Sequence, residues 1–131
     1  MDKNYIVSRV NIVDLSPLEG FIPERADSLY NEIAGGKVWT TPIVVDNVYG
    51  LIMDGHHRFE VAKRLHLKYV PAVLWSYSDV SVRSLRTDQV VSVSQILENM
   101  SKSVIFPNKT AKHDFPFQLQ SDLRINIDEL K

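Results

Sequence analysis

The run LIMDGHHRFEVAKRL, residues 51–65, constrains this chain more than any other feature. An apolar stretch ends at Asp54, a glycine follows, and good helix formers begin at once. A buried strand therefore turns into a helix at Gly55. The first four N–H groups of a helix have no partner inside it, and the helix dipole adds about half a positive charge there. A phosphate set against such an end is stabilised by main chain alone, and Gly55 permits close approach. His56, His57 and Arg58 fill the first turn, where cations oppose the dipole unless an anion is expected. Arg58 also has the fork geometry for a two-pronged grip. Asp54 would repel phosphate by itself; it fits as a Mg²⁺ ligand beside phosphates, or as a base or anchor for a substrate hydroxyl or amine. A plainer reading stays open, with Asp54 as a helix cap and the histidines as surface residues. Zinc fits poorly, because adjacent histidines point in different directions and no HExxH-type spacing occurs.

Around this junction the pattern predicts a mixed α+β domain. Residues 6–13 read as a strand, and LSPLEGFIPER (15–25), with two prolines and a glycine, as a shaped loop. Pro23 opens a helix with Leu29, Tyr30 and Ile33 on its buried stripe, closed by Gly35-Gly36 in the left-handed region. Residues 42–45 and 49–53 form a hairpin. After the helix led by Gly55, with Phe59, Ala62 and Leu65 inward, residues 69–75 (YVPAVLW) form a strand. A loop with room for a short strand covers 76–86, an amphipathic helix 88–102, and RINIDEL a last strand. The order is β-loop-α-β-β-α-β-α-β in one domain spanning 1–131. Trp39, Trp75 and Tyr77 are expected in the core or along a nucleotide's base.

Composition removes several classes of function. The 15 basic and 16 acidic residues leave a net charge of −1, against bulk electrostatic coating of nucleic acid. The absence of cysteine removes disulfides, thiol nucleophiles, cysteine zinc ligands and iron–sulfur clusters. No apolar run approaches the ~20 residues of a membrane span and the N-terminus lacks a signal-peptide layout, so the expected location is the cytoplasm, without membrane contact. Two further constellations stand out. FPNKTAKHDF (106–115) sets Lys109, Lys112 and His113 around Thr110, suited to an anionic group or to solvated surface. Glu19 sits in the proline-bracketed loop, with Arg25 six residues on. It is surface decoration unless that loop folds over the start of the DGHHR helix.

LSPLEGFIPER, PIVV, MDGHHRFEVAKRL and YVPAVLW together resemble the ParB/sulfiredoxin-like nucleotide-binding fold over about residues 6–86, and NKTAKH extends the likeness. Within that superfamily the chain most resembles the free L-serine kinases, which use ATP or ADP. Their loop glutamate and arginine match Glu19 and Arg25, and their DGHHR motif matches Asp54 to Arg58. Their VxSWR-like segment matches Val82 to Arg86, and their PPKTTRH-like segment Pro107 to His113. The resemblance implies Glu19 as general base, with Asp54 positioning the acceptor hydroxyl or a Mg²⁺ ion. Gly55, His56, His57 and Arg58 would hold phosphates. Lys109, Thr110 and His113 would recognise a phosphate or the acceptor's carboxylate, with Arg25, Leu85, Arg86 and Ala111 beside the acceptor. Sulfiredoxin chemistry needs a cysteine where His56 stands, and chromosome-segregation ParB proteins need further domains for which 131 residues leave no space. The rival function is a regulatory module that binds CTP or ATP without catalysis; a ParB-type nuclease or DNA-binding fragment ranks below it.

Two departures bear on the acceptor. Leu85 stands where the kinases carry tryptophan, and Ala111 where they carry a second threonine. Both changes shrink the side chain and remove a donor, so a roomier and more apolar acceptor site is expected, suited to a larger hydroxy amino acid. Only 22 residues separate Arg86 from Lys109, where the serine kinases insert a sizeable segment. The cleft is then more open, and a homodimer is one way to close it.

Overall fold

The computed structural model describes residues 4–131. Strand β1, Val7–Asn11, stops short of the expected residue 13 because the Asn11 side chain accepts from the Val13 N–H at 3.1 Å and caps a 3₁₀ turn over Ile12–Asp14. Helix α1 is Pro23–Gly36, with proline in its first turn. Its end corrects the expectation for Gly35-Gly36. Both glycines are helical, and Lys37 takes the left-handed conformation at φ 58° while its N–H donates to Ile33 O at 2.8 Å. Pairing downstream decides this: Val38–Trp39 (β2) must lie against Ile125–Asn126 (β8), and Ile127 N–H donates to Lys37 O at 3.0 Å.

The hairpin is Ile43–Asp46 (β3) and Ile52–Asp54 (β4), its second strand starting at 52 rather than 49. Gly50, at φ 74°, turns the chain where a Cβ would strike the carbonyl of Asp14. Helix α2, His56–Arg64, leads to β5, Tyr69–Trp75, at the expected bounds. The four-stranded sheet runs β1-β5-β3-β4, with β5 and β3 parallel and both edge strands antiparallel. All four residues of β3 are buried, as an inner strand covered on both faces requires.

Alternation along the strands builds two cores. Ile43, Val45, Ile52, Val70 and Ala72 face Trp39, Ile33, Phe59 and Ala62. Val44, Met53 and Val73 face the other way, under partly buried Trp75, Tyr77, Phe115 and Phe117. A third cluster joins Leu18, Leu51, Ile96, Phe106 and Ala111.

The helix expected over 88–102 begins only at Val93 and runs to Ser101 (α3). Ser92 is its cap, in extended backbone with its hydroxyl accepting from Gln95 N–H, and Val90 upstream is 75% exposed. Ser81–Ser84 (β6) pairs antiparallel with Ala111–Asp114 (β7), so the last three residues of the FPNKTAKH loop are strand. The last strand shrinks to β8, followed by a 3₁₀ turn over Ile127–Leu130. No helix among the described residues is long and apolar enough to cross a membrane. The class is mixed α+β, as the sequence predicts.

Candidate active site

Gly55 takes φ 102°, and a Cβ there would lie 2.6 Å from Ile43 Cγ2, so the close approach forecast from sequence is imposed by the inner strand. Helix α2 has no side-chain cap, and its first intrahelical bond is Phe59 N–H to Gly55 O. The amides of residues 56, 57 and 58 are left to whatever enters the cleft. That cleft has a volume of about 680 Å³ and lies between the start of α2, the outer face of α1, the Glu19 loop and residues 109–112.

The loop of residues 15–22 is held across the cleft by main-chain bonds. Ser16 pairs with the hairpin through Gly50 O and Ile52 N–H, and Leu18 and Gly20 pair with Phe106. Being irregular, it still leaves amides without main-chain partners, and the two histidines supply them. His56 Nε2 accepts from Leu18 N–H at 3.0 Å and Glu19 N–H at 3.3 Å; His57 Nε2 accepts from Ile22 N–H at 3.0 Å. Both rings are therefore neutral, with the proton on Nδ1. Burial pushes the His56 pKa down to about 3, and burial with Arg25, Arg58 and Lys109 nearby lowers that of His57. Their Nε2 atoms are thus unavailable to a phosphate, a correction to the expectation of two imidazole donors; the main-chain N–H groups of the same residues remain.

Glu19 does fold over the helix start. Its side chain is 11% exposed, Oε2 accepts from Thr110 N–H at 2.7 Å, and Oε1 lies 3.9 Å from His56 Nδ1. Burial raises its pKa above the usual 4.5, against the opposing pull of the Thr110 and Ala111 amides and of Arg86. Asp54 stands at the mouth, 53% exposed, its Oδ2 3.8 Å from Arg58 Nη2. Arg58 is folded back so that Nη2 donates to Pro42 O at 3.3 Å, leaving Nε buried without a partner. It lines the cleft but does not extend into it as a free fork.

The late segment divides. Lys109, in the left-handed region at φ 54°, lines the cleft, as do Arg25, Leu85 and Ala111. Thr110 is fully buried, with Oγ1 donating to Pro107 O at 2.6 Å, so its hydroxyl holds the loop rather than reaching a ligand. Arg86 does not line the cleft; its Nε and Nη2 donate to Asn108 O at 3.2 and 2.7 Å. His113 lies outside the main cleft. It is buried against Tyr77, whose hydroxyl is 3.1 Å from Nε2, and Nδ1 has no partner. It lines an adjoining cavity of about 330 Å³ with Phe115 and Phe117, and this cavity meets the cleft at Asp54, Ala111 and Lys112.

Glu24, Ser28 and Glu32 on α1 also line the cleft and were not anticipated. Their spacing of four residues is the available signal, a polar stripe opposite the buried one. Trp39, Trp75 and Tyr77 do not line the cleft; Trp39 is wholly buried. Among the described residues no cluster of three or more His, Asp or Glu is arranged to hold a metal.

No family model matches the chain. It is 33% identical over 103 residues, 73% of this chain and 40% of the relative, to an ATP-dependent L-serine kinase of Staphylothermus marinus. It is 23% identical over 99 residues, 71% of this chain and 41% of the relative, to an ADP-dependent L-serine kinase of Thermococcus kodakarensis. The chain therefore spans about two-fifths of the length of these curated relatives. Among solved structures, a free serine kinase in complex with AMP superposes with a TM-score of 0.83 at 14% identity, covering 100% of this chain and 95% of that one. SbnI with a C-terminal truncation, from Staphylococcus aureus, superposes with a TM-score of 0.81 at 13% identity, over 95% and 89% of the two chains. The resemblance to the free L-serine kinases is thus borne out, in sequence over most of this chain and in fold over all of it.

Proposed function

We propose that this chain, which shares the fold of the free serine kinases, is a nucleotide-dependent kinase that phosphorylates the hydroxyl of a small molecule. One observation carries the reading: a buried carboxylate of raised proton affinity, Glu19, faces an uncapped helix start across a single cleft. A module that only binds nucleotide has no use for such a carboxylate there. The relatives' serine kinase activities and the bound AMP of the structural neighbour support the same assignment.

The transferred phosphate and its neighbour rest against the amides of residues 56–58, with Lys109 and Arg58 adding positive charge. The acceptor oxygen attacks the terminal phosphorus of ATP or ADP, its P–O bond to the leaving nucleotide breaks, and ADP or AMP departs. The acceptor's proton passes to Glu19, which matters late because an alcohol is a weak acid. Asp54, half-exposed beside the phosphate site, would be the residue to hold a Mg²⁺ ion. That ion would supply neutralisation of phosphate charge. Asp54 otherwise keeps Arg58 in place.

The acceptor is serine-like or a larger hydroxy amino acid. Leu85 and Ala111 line the cleft, and Ala111 sits where it opens into the cavity bounded by Phe115 and Phe117. The test is acceptor-dependent turnover of ATP or ADP with Mg²⁺ across a panel of hydroxy amino acids and sugars. Glu19→Gln is expected to keep nucleotide binding and lose turnover by about 10²-fold or more. A wild-type protein that binds no mononucleotide, or a Glu19→Gln variant with full activity, would overturn the reading.

A further inference from the structure

Residue 56 meets both halves of the cleft. Its main-chain N–H belongs to the phosphate end of α2, and its ring accepts from the amides of Leu18 and Glu19, 38 and 37 residues upstream. We propose that the His56 side chain is a positioning residue that registers the Glu19 carboxylate against the phosphate, an inference that rests on the kinase reading above. The ring is rigid and buried, and the Glu19 N–H contact at 3.3 Å holds the peptide immediately before the base, with the Leu18 N–H at 3.0 Å one peptide earlier. Its other nitrogen, protonated because Nε2 accepts, lies 3.9 Å from Glu19 Oε1. Thr110 N–H holds Oε2 from the opposite side at 2.7 Å. The carboxylate is thereby hydrogen-bonded at Oε2 with the imidazole close to Oε1, and that imidazole moves with the peptide that meets the phosphate. His57 extends the same tether to Ile22, the residue before α1. A phosphoryl acceptor must lie in line with the phosphorus and within reach of its base, so a displacement of about 1 Å between these groups costs up to about 10²-fold in rate.

The experiment compares His56→Phe, a ring of similar size without an acceptor, with His56→Gln, whose amide oxygen can take the place of Nε2. His56→Phe is expected to lower kcat at least tenfold while KM for the nucleotide and its equilibrium binding change less than threefold. His56→Gln is expected to recover most of the lost kcat. Equal losses in nucleotide binding and kcat would make the imidazole a phosphate ligand and overturn the proposal, as would unchanged kinetics in His56→Phe or no recovery in His56→Gln. Should His56→Phe fail to fold, ¹⁵N-labelled wild-type protein decides by NMR. A scalar coupling across the N–H···N hydrogen bond must link Leu18 N to His56 Nε2, and its absence overturns the proposal. A wild type without acceptor-dependent turnover overturns the kinase reading and this role together. An active wild type with the wrong kcat and KM split overturns this role alone.

Discussion

At the scale of single residues, the buried ionisable groups set how the protein responds to pH. Glu19 has a folded pKa above its unfolded value, so keeping it ionised in the cleft costs stability at pH 7, a cost that vanishes below the unfolded pKa near 4.5. Glu19→Gln keeps an oxygen for the Thr110 amide and removes that cost. It is expected to melt at a higher temperature than wild type at pH 7, with the difference closing as pH falls towards 4.5. On the proposed kinase reading, the same raised pKa places the acid limb of kcat/KM above the usual 4.5, which a pH–rate profile reads directly. Histidines act with the opposite sign. Burial holds His56 at about 3 and His113 at about 4, against 6.5 when unfolded. Their neutral forms stabilise the fold fully above pH 6.5, and that contribution is lost as pH falls towards 4, by roughly 1.4 kcal/mol per pH unit for each. Thermal melts from pH 7 to 4 should show this slope, and His113→Gln should flatten it.

Secondary-structure elements show which glycines matter. Gly35 and Gly36 are helical with open space where a Cβ would sit, so Gly35→Ala is expected to stabilise the protein by about 0.5–1 kcal/mol in chemical denaturation. Gly55→Ala meets both a φ of 102° and the Ile43 side chain at 2.6 Å, and is expected to cost about 2–4 kcal/mol and to displace the amides of residues 56–58. Elements with strong local signals were legible in sequence. The run YVPAVLW marks β5 to the residue, and the DGHHR junction marks the start of α2. The short strands β2 and β7 were not, because their cause lies far away in the chain. Val38 is extended because Asn126 pairs with it, and residues 81–84 because 111–114 do. The candidate site divides in the same way. Glu19, Asp54 and Gly55 could be picked out by residue type and spacing. The partners of both imidazoles lie 35 or more residues upstream, and no local period encodes them. Thr110 misled because a hydroxyl in a basic loop reads as a ligand until its bond to the Pro107 carbonyl is seen.

For the whole molecule, Ala111 lines both the cleft and the cavity beside Phe115 and Phe117, so on the proposed kinase reading its size sets how far an acceptor reaches. Ala111→Thr adds bulk and a hydroxyl at that junction. It is expected to lower kcat/KM for bulky hydroxy amino acids relative to serine by about tenfold, measured by competition between the two acceptors. The cleft itself is assembled from segments near residues 19, 55 and 110, and the Thr110 amide that ties Glu19 lies 91 positions after it. During synthesis, the start of α2 is therefore translated well before the last clasp on Glu19. A nascent chain halted short of Thr110 lacks the amide that holds the Glu19 carboxylate in place.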